Sequence, residues 1–168
     1  MASWTTPVTH SAGDTLAVTD WNGVANNETF LYQAPYASYY NSVATTLTSG
    51  TNTQVTLGGT EYSGYGFSVS SNNAVAPLAG SYMTLFSVGF NQTGSNALSL
   101  VYQNGTQKAI GSSVPGNSTT GTFSSSGKVL KCNASDTIAL YGLQFAGAVG
   151  TLTGSNETYL SLAFVGSQ

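Results

Sequence analysis

The sequence predicts an all-β protein, an antiparallel sandwich or barrel preceded by an N-terminal arm with one short helix. Three observations carry this. First, eight or nine short apolar-alternating runs follow one another, broken by Gly, Asn and Ser, with no helical spacing between them. Second, Asn104-Gly105 separates two such runs, and both central positions of a type I′ hairpin turn require positive φ. Third, the texture changes near residue 34. Residues 1–34 hold both Trp residues, the only His, and Asp14, Asp20 and Glu28, which are half of the six acids. Two domains are therefore expected, 1–34 and 35–168.

Trp4-Thr5-Thr6-Pro7-Val8-Thr9 favours extended backbone, because Pro7 restricts Thr6. Ser11-Ala12-Gly13-Asp14 reads as a turn. Thr19 or Asp20 can cap a helix beginning there. Trp21, Val24, Ala25, Glu28 and Leu31 or Tyr32 then follow helical spacing, with Gly23 and Asn26-Asn27 weakening it. A helix of about 12 residues of this composition is marginal alone in water and needs a surface to dock on.

Strand signals follow at Gln54–Leu57, Gly66–Ser70, Ser81–Phe90, Ala97–Tyr102 and Gln107–Ile110. Thr119–Ser124, Lys128–Lys131, Thr137–Phe145 and Thr158–Val165 complete the set. No internal repeat is present. Two of these runs are apolar on both faces. In Ser81–Phe90, Tyr82, Phe86, Val88 and Phe90 share one side, while Met83 and Leu85 share the other. In Thr137–Phe145, Ile138 and Leu140 oppose Tyr141, Leu143 and Phe145. A sheet with one wet face alternates cleanly. These runs do not, so one face fills the sandwich and the second calls for another cover. An identical subunit is one such cover; loops or the N-terminal arm are the other.

Only 5% of the residues are charged, against roughly 25% in an ordinary domain. There are three Lys, no Arg, six acids and one His. Catalytic sites need titratable groups in pairs or triads, and few can be built here. The net charge of −3 and the scattered Lys108, Lys128 and Lys131 speak against nucleic acid, whose binding rests on neutralised phosphates. The apolar runs fall far short of the ~20 residues a membrane helix needs. The start, Met1-Ala2-Ser3-Trp4-Thr5, has neither the basic nor the apolar region of a secretory signal. The single Cys132 excludes an internal disulfide and is expected as a small buried residue.

Ala79-Gly80-Ser81-Tyr82, then Val88-Gly89-Phe90, then Leu98-Ser99-Leu100 before Asn104-Gly105, resembles the middle of the jelly rolls of tumour necrosis factor (TNF) and the complement globular heads. Leu130 followed by Ser135-Asp136-Thr137-Ile138-Ala139-Leu140 resembles that family's Gly-Asp signature before a strand, with Ser135 in place of Gly. Tyr159–Gly166 resembles its closing strand. The resemblance spans about residues 40–166. It implies an antiparallel jelly-roll sandwich and a homotrimer. By it, Met83, Leu85, Phe123, Tyr159 and Val165 face the threefold axis, while Tyr82, Phe86, Val88, Leu160, Leu162 and Phe164 fill each sandwich.

The N-terminal region is similar to a module that opens many tailed-bacteriophage structural proteins. The matching residues are Trp4-Thr5-Thr6-Pro7-Val8-Thr9, Gly13-Asp14-Thr15-Leu16, Thr19-Asp20-Trp21-Asn22, Asn26-Asn27-Glu28 and Phe30-Leu31. His10 stands where the module has Trp, and Asp14 where it has Glu. The resemblance implies that Trp4, Pro7, Trp21, Val24, Phe30 and Leu31 anchor a virion protein, so its location is the virion. Its partners are then copies of itself and, through residues 1–34, other virion proteins.

Candidate sites are few. His10, Ser11 and Asp14 lie too close together in a turn to make a catalytic triad. A glycosidase pair at ~5 to 9.5 Å would have to come from Glu61 and Glu157. Asp136, Glu61 and Glu157 are the only candidate metal ligands near the head, and Asp136 is accounted for by its turn. No catalytic residue, cofactor or metal is expected. Tyr62 and Tyr65, with Tyr36, Tyr39 and Tyr40, are candidate glycan contacts. Six Asn-x-Ser/Thr sequons, such as Asn91 and Asn117, follow from composition. The expectation is a homotrimeric structural virion protein, a capsid decoration or fibre-like appendage. The alternative is a receptor-binding tail-fibre head that adheres to host surface glycans.

Overall fold

The computed structural model describes residues 9, 11–15, 17–32, 34–92, 96–115 and 121–167, with backbone alone for 29–32. Trp4, Pro7, His10 and Asn117 lie outside the described residues, as do the side chains of Phe30 and Leu31. The chain divides into two compact units, residues 1–34 and 35–168.

In the first unit the Ser11–Asp14 turn closes through Asp14 N–H to Ser11 O at 3.1 Å. The Asp14 carboxylate also accepts from Ser11 N–H at 2.7 Å. Helix α1 runs Val18–Tyr32, 15 residues, longer than its composition suggests. It starts ahead of the expected cap. Ala17 N–H donates to Asp20 Oδ2 at 2.8 Å, so Asp20 reaches back from the third helical position, as in a capping box. Its carboxylate also sits in the first turn, where it complements the helix dipole.

The second unit is an antiparallel jelly-roll sandwich. Its strands are β1 (Tyr36–Tyr40), β2 (Thr46–Leu47), β3 (Thr53–Gln54), β4 (Gly59–Gly64), β5 (Ser68–Ser70), β6 (Asn73–Val75), β7 (Gly80–Phe90), β8 (Ala97–Gln103), β9 (Thr106–Ile110), β10 (Ser112–Val114), β11 (Thr122–Cys132), β12 (Thr137–Gln144), β13 (Val149–Gly150) and β14 (Tyr159–Gly166). The first sheet has the order β10-β11-β7-β14-β1-β4. The second has the order β5-β6-β12-β8-β9, with β3 added on β12, and β2 pairs β13 separately.

The two runs expected at Thr119–Ser124 and Lys128–Lys131 form one strand, β11, paired with β7 from Thr122↔Phe90 to Cys132↔Gly80. Ser125-Ser126-Gly127 reads as a break by composition, but the ladder uses backbone groups and tolerates small side chains. Of Gln54–Leu57 only Gln54 joins a ladder, with Thr53 before it in β3; Val55 and Leu57 leave the strand to enter the core. At Asn104-Gly105 both φ angles are positive, 50° and 74°, as the type I′ turn demands.

Alternation along β7 sorts the side chains. Tyr82, Phe86, Val88 and Phe90 are buried in the interior, joined by Leu160 and Leu162 of β14. Val101 of β8 and Ile138 and Leu140 of β12 close the core from the second sheet. Phe164 packs against this cluster, edge-on to Tyr82 at 5.4 Å, and Phe67 meets the same ring at 5.6 Å. Tyr82 donates its hydroxyl to Leu78 O at 2.9 Å. Gly80 is required by close approach: a Cβ there would sit 2.2 Å from the Phe164 ring. One buried polar hub went unseen in the sequence. The Asn41 amide donates to Val43 O and Thr56 O at 2.6 and 2.7 Å and accepts from the Thr151 hydroxyl at 2.8 Å. It ties three loops without spending a charge.

Candidate functional site

The outer face of the first sheet gathers exposed apolar side chains from the residues predicted to act. Met83 and Leu85 project outward from β7 and are 44% and 48% exposed. Register places Val129 and Ala163 beside Met83, and Gly127 and Ser161 beside Leu85. Leu85 lies over Gly127, where an added Cβ would meet its Cδ2 at 2.8 Å. A register shift between Phe164 and Gly166 takes Val165 out of the ladder and leaves it exposed. Phe123 pairs Gly89 and is half-buried, sharing the space over that glycine with Leu152. Tyr159 stands between Ser87 and Tyr40 and is also half-buried. The five residues expected at a threefold axis therefore lie on three adjacent strands of one sheet.

Toward the β4 edge this face deepens into a groove of ≈ 220 Å³, lined by Tyr36, Tyr62, Met83, Leu85, Ser161, Leu162 and Ala163. Tyr36 approaches Tyr62 at 5.6 Å and Tyr65 at 6.2 Å, so it joins the two candidate glycan contacts into one ring cluster. Tyr65 holds φ = 55° in the turn Gly64–Phe67, an unfavourable angle for a bulky residue. Tyr39 corrects the expectation that it stacks a sugar. It is 2% exposed in the core, with its hydroxyl on Ser63 Oγ at 3.3 Å, and burial pushes that phenol up. The Tyr40 ring lies over Gly59.

The second sheet also carries aromatic side chains outward. Tyr102 of β8 and Tyr141 of β12 stack with centroids 4.3 Å apart. Tyr141 and Phe145 were visible in the sequence as a second apolar face; the meeting of Tyr141 with Tyr102 follows only from the β8–β12 register.

The acids offer little chemistry. Asp136 accepts hydrogen bonds from Asn133 N–H and the Gln103 amide at 2.8 Å each, and from the Asn104 amide at 2.7 Å. Burial raises its pKa, but these donors and nearby Lys108 outweigh it and hold the carboxyl below the ordinary range. Its neighbour Ser135 has φ = 71°, which is why Gly suits that position in the resembling signature. Glu61 lies on the exposed edge strand β4, and Glu157 in the turn before β14. Among the described residues no three of His, Cys, Asp and Glu come together to hold a metal ion. In the first unit Trp21 and Val24 are exposed along α1. No described helix is long and apolar enough to cross a membrane.

No protein-family model matches the chain, and no curated protein sequence matches it. Solved structures do. Eiger TNF from S. frugiperda superposes with a TM-score of 0.60 at 10% identity, covering 81% of this chain and 95% of that one. Murine APRIL at pH 8.0 gives 0.63 at 12% identity, covering 79% of this chain and 100% of that one. Pika GITRL gives 0.50 at 13% identity, over 80% and 98%. At such identity the likeness is one of fold: the second unit has a TNF-like jelly-roll fold.

Proposed function

We propose that this chain is a homotrimeric structural protein of a tailed-bacteriophage virion, an exposed decoration or fibre-like appendage. Residues 1–34 anchor it and the jelly roll is the displayed head. The observation that carries the reading is the uncovered apolar face formed by Met83, Leu85, Val129 and Val165. Isolated exposed apolar residues are ordinary, but a contiguous patch on one sheet marks an interface. The resemblance of residues 1–34 to a phage structural module supports an anchor ahead of this head, and the exposed Trp21 and Val24 offer apolar surface for a virion partner. The reading assigns no catalytic role; the Asp136 carboxylate is taken up by Asn133, Gln103 and Asn104.

Native mass measurement of the full chain tests it. The expected species is a trimer. Leu85→Lys would place an unpaired ammonium in the interface and is expected to yield folded monomer. A stable, well-folded monomer of the unaltered chain overturns the trimer. A chain beginning at Pro35 is expected to fold and trimerise yet fail to join the particle.

The second reading, adhesion to host glycans through Tyr62 and Tyr65, is favoured by the ring cluster with Tyr36 and the positive φ at Tyr65. It competes with the first for space. Tyr62 lines the same groove as Met83 and Leu85, so a subunit seated there covers it. We therefore favour the structural role. A glycan array on the intact protein separates the two: binding lost in Tyr62→Ala supports the adhesin.

A further inference from the structure

We propose that the outer face of the second sheet is a binding site for a neutral oligosaccharide, with Tyr141 and Tyr102 as stacking rings and Asn52, Gln54 and Gln107 as an amide rim. The β8–β12 register, Tyr141↔Leu100 and Ala139↔Tyr102, turns both rings away from the core, into which Val101, Ile138 and Leu140 point. Leu100 shares the outward side and is nevertheless buried, so the rings stand on an apolar floor. Their centroids lie 4.3 Å apart with planes 36° apart, so the two rings stack on one another as one tilted unit and each keeps its far face for a ligand.

The polar groups around the platform are amides. Asn52 donates its Nδ2 to the Tyr102 hydroxyl at 2.7 Å, and that hydroxyl approaches Gln107 Oε1 at 3.4 Å. Gln54 lies opposite Tyr141 on β3. Its Nε2 is held by Ser71 O at 3.4 Å and by Asn72 O and Asn73 Oδ1 at 3.2 Å, so its amide plane is set in advance. Among the described residues, Asn52 Oδ1, Gln54 Oε1 and Gln107 Nε2 take part in no hydrogen bond. Asn52 and Gln107 thus stand at the Tyr102 hydroxyl and Gln54 at the register position beside Tyr141.

Charge then selects the ligand class. β3, β8 and β12 carry no Asp, Glu, Lys or Arg; β9, which supplies Gln107, carries Lys108, whose charge acts on Asp136. Both oxygens of Asp136 are taken: Oδ2 by Asn133 N–H and the Gln103 amide, Oδ1 by the Asn104 amide. Nothing on the platform pairs with a phosphate, a sulfate or a peptide side-chain charge. A neutral sugar suits it, because its C–H face packs on a ring while its hydroxyls both donate and accept, as an amide does. The site lies on the opposite side of the sandwich from Met83 and Leu85. Assembly through the first sheet leaves it open, and several weak copies on one particle act together through avidity.

The test is a calorimetric or NMR titration of the intact chain with unbranched neutral hexose and N-acetylhexosamine oligomers, alongside sialylated and sulfated ones. Neutral oligomers are expected to bind, with an affinity that changes little between low and high salt. Tyr141→Ala removes one stacking face and is expected to weaken binding about tenfold. Tyr102→Phe keeps the ring, loses the hydroxyl, and is expected to weaken it about threefold. Tyr62→Ala is expected to leave it unchanged, which separates this site from the groove on the first sheet. The proposal is overturned if no neutral oligomer binds, if Tyr141→Ala binds as the unaltered chain does, or if only anionic oligomers bind with steep salt dependence. It is overturned equally if Tyr141→Ala changes the oligomeric state, since a second copy of the chain then covers the face.

Discussion

Thr84 and Leu85 are neighbours on β7 with opposite fates, and Thr84 offers a sharp test of how the sandwich is packed. Its side chain turns into the interior on the same side as Tyr82 and Phe86, and it is fully buried. Its Oγ1 has no hydrogen-bond partner among the described residues. A buried, unsatisfied hydroxyl costs about 1–3 kcal/mol, and Thr→Val replaces it by a methyl of nearly the same shape. The backbone ladder to Lys128 and Leu162 is untouched. Thr84→Val is therefore expected to stabilise the fold by about 1 kcal/mol, discounted because the hydroxyl rotor relaxes toward any weak acceptor. For a domain of this size that is a rise in Tm of about 2–4 °C. The assay is thermal unfolding followed by circular dichroism at matched protein concentration, since self-association couples Tm to concentration. Thr84→Ser is the counter-variant. It keeps the hydroxyl, loses the methyl, and is expected to lower stability by about 1 kcal/mol through the cavity it leaves. A lower Tm for Thr84→Val with an unchanged Tm for Thr84→Ser would refute the reasoning, because it would mean that the hydroxyl is bonded and the methyl idle.

Three further outcomes are expected. Ser135→Gly removes the strain of φ = 71° and should raise stability by about 0.5–1 kcal/mol, read as a higher denaturant midpoint with unchanged slope. Asp136 has a folded pKa below its ordinary 3.8, so the stability it contributes is present above that value and is lost as pH falls through the folded pKa. Stability measured from pH 5 downward should therefore fall at the acid end by roughly the same amount that Asp136→Asn removes at neutral pH, and an acid limb unaltered in Asp136→Asn would contradict this. Cys132 is buried, and burial, with the Asp136 charge second, pushes its thiol up to about 11. Thiol reagents at neutral pH should label it only as the chain unfolds, and rapid labelling of the native protein would show a more open β11 end.

The sequence by itself determined the fold class, because strand periodicity and turn chemistry are local. The two-faced pattern of Ser81–Phe90 separated Tyr82, Phe86 and Val88 from Met83 and Leu85, and the structure places the two sets on opposite sides of β7. Asn104-Gly105 specified its own turn, since few other pairs accept two positive φ angles. Local signals failed where pairing overrides composition. Tyr36–Tyr40 and Gly59–Gly64 gave no clear alternation, yet β1 is held by the ladder to β14 and β4 by the ladder to β1. Ser125-Ser126-Gly127 looked like a break and is the middle of β11. Nothing in the sequence singles out Asn41, and only the folded chain brings Val43, Thr56 and Thr151 around it. The candidate sites divide in the same way. Which side chains are aromatic or uncharged is a property of the sequence. That Tyr36 meets Tyr62 and Tyr65, and that Tyr102 stacks on Tyr141, is decided by strand register between segments distant in the chain. A one-residue slip in that register would turn each ring to the other face of its sheet.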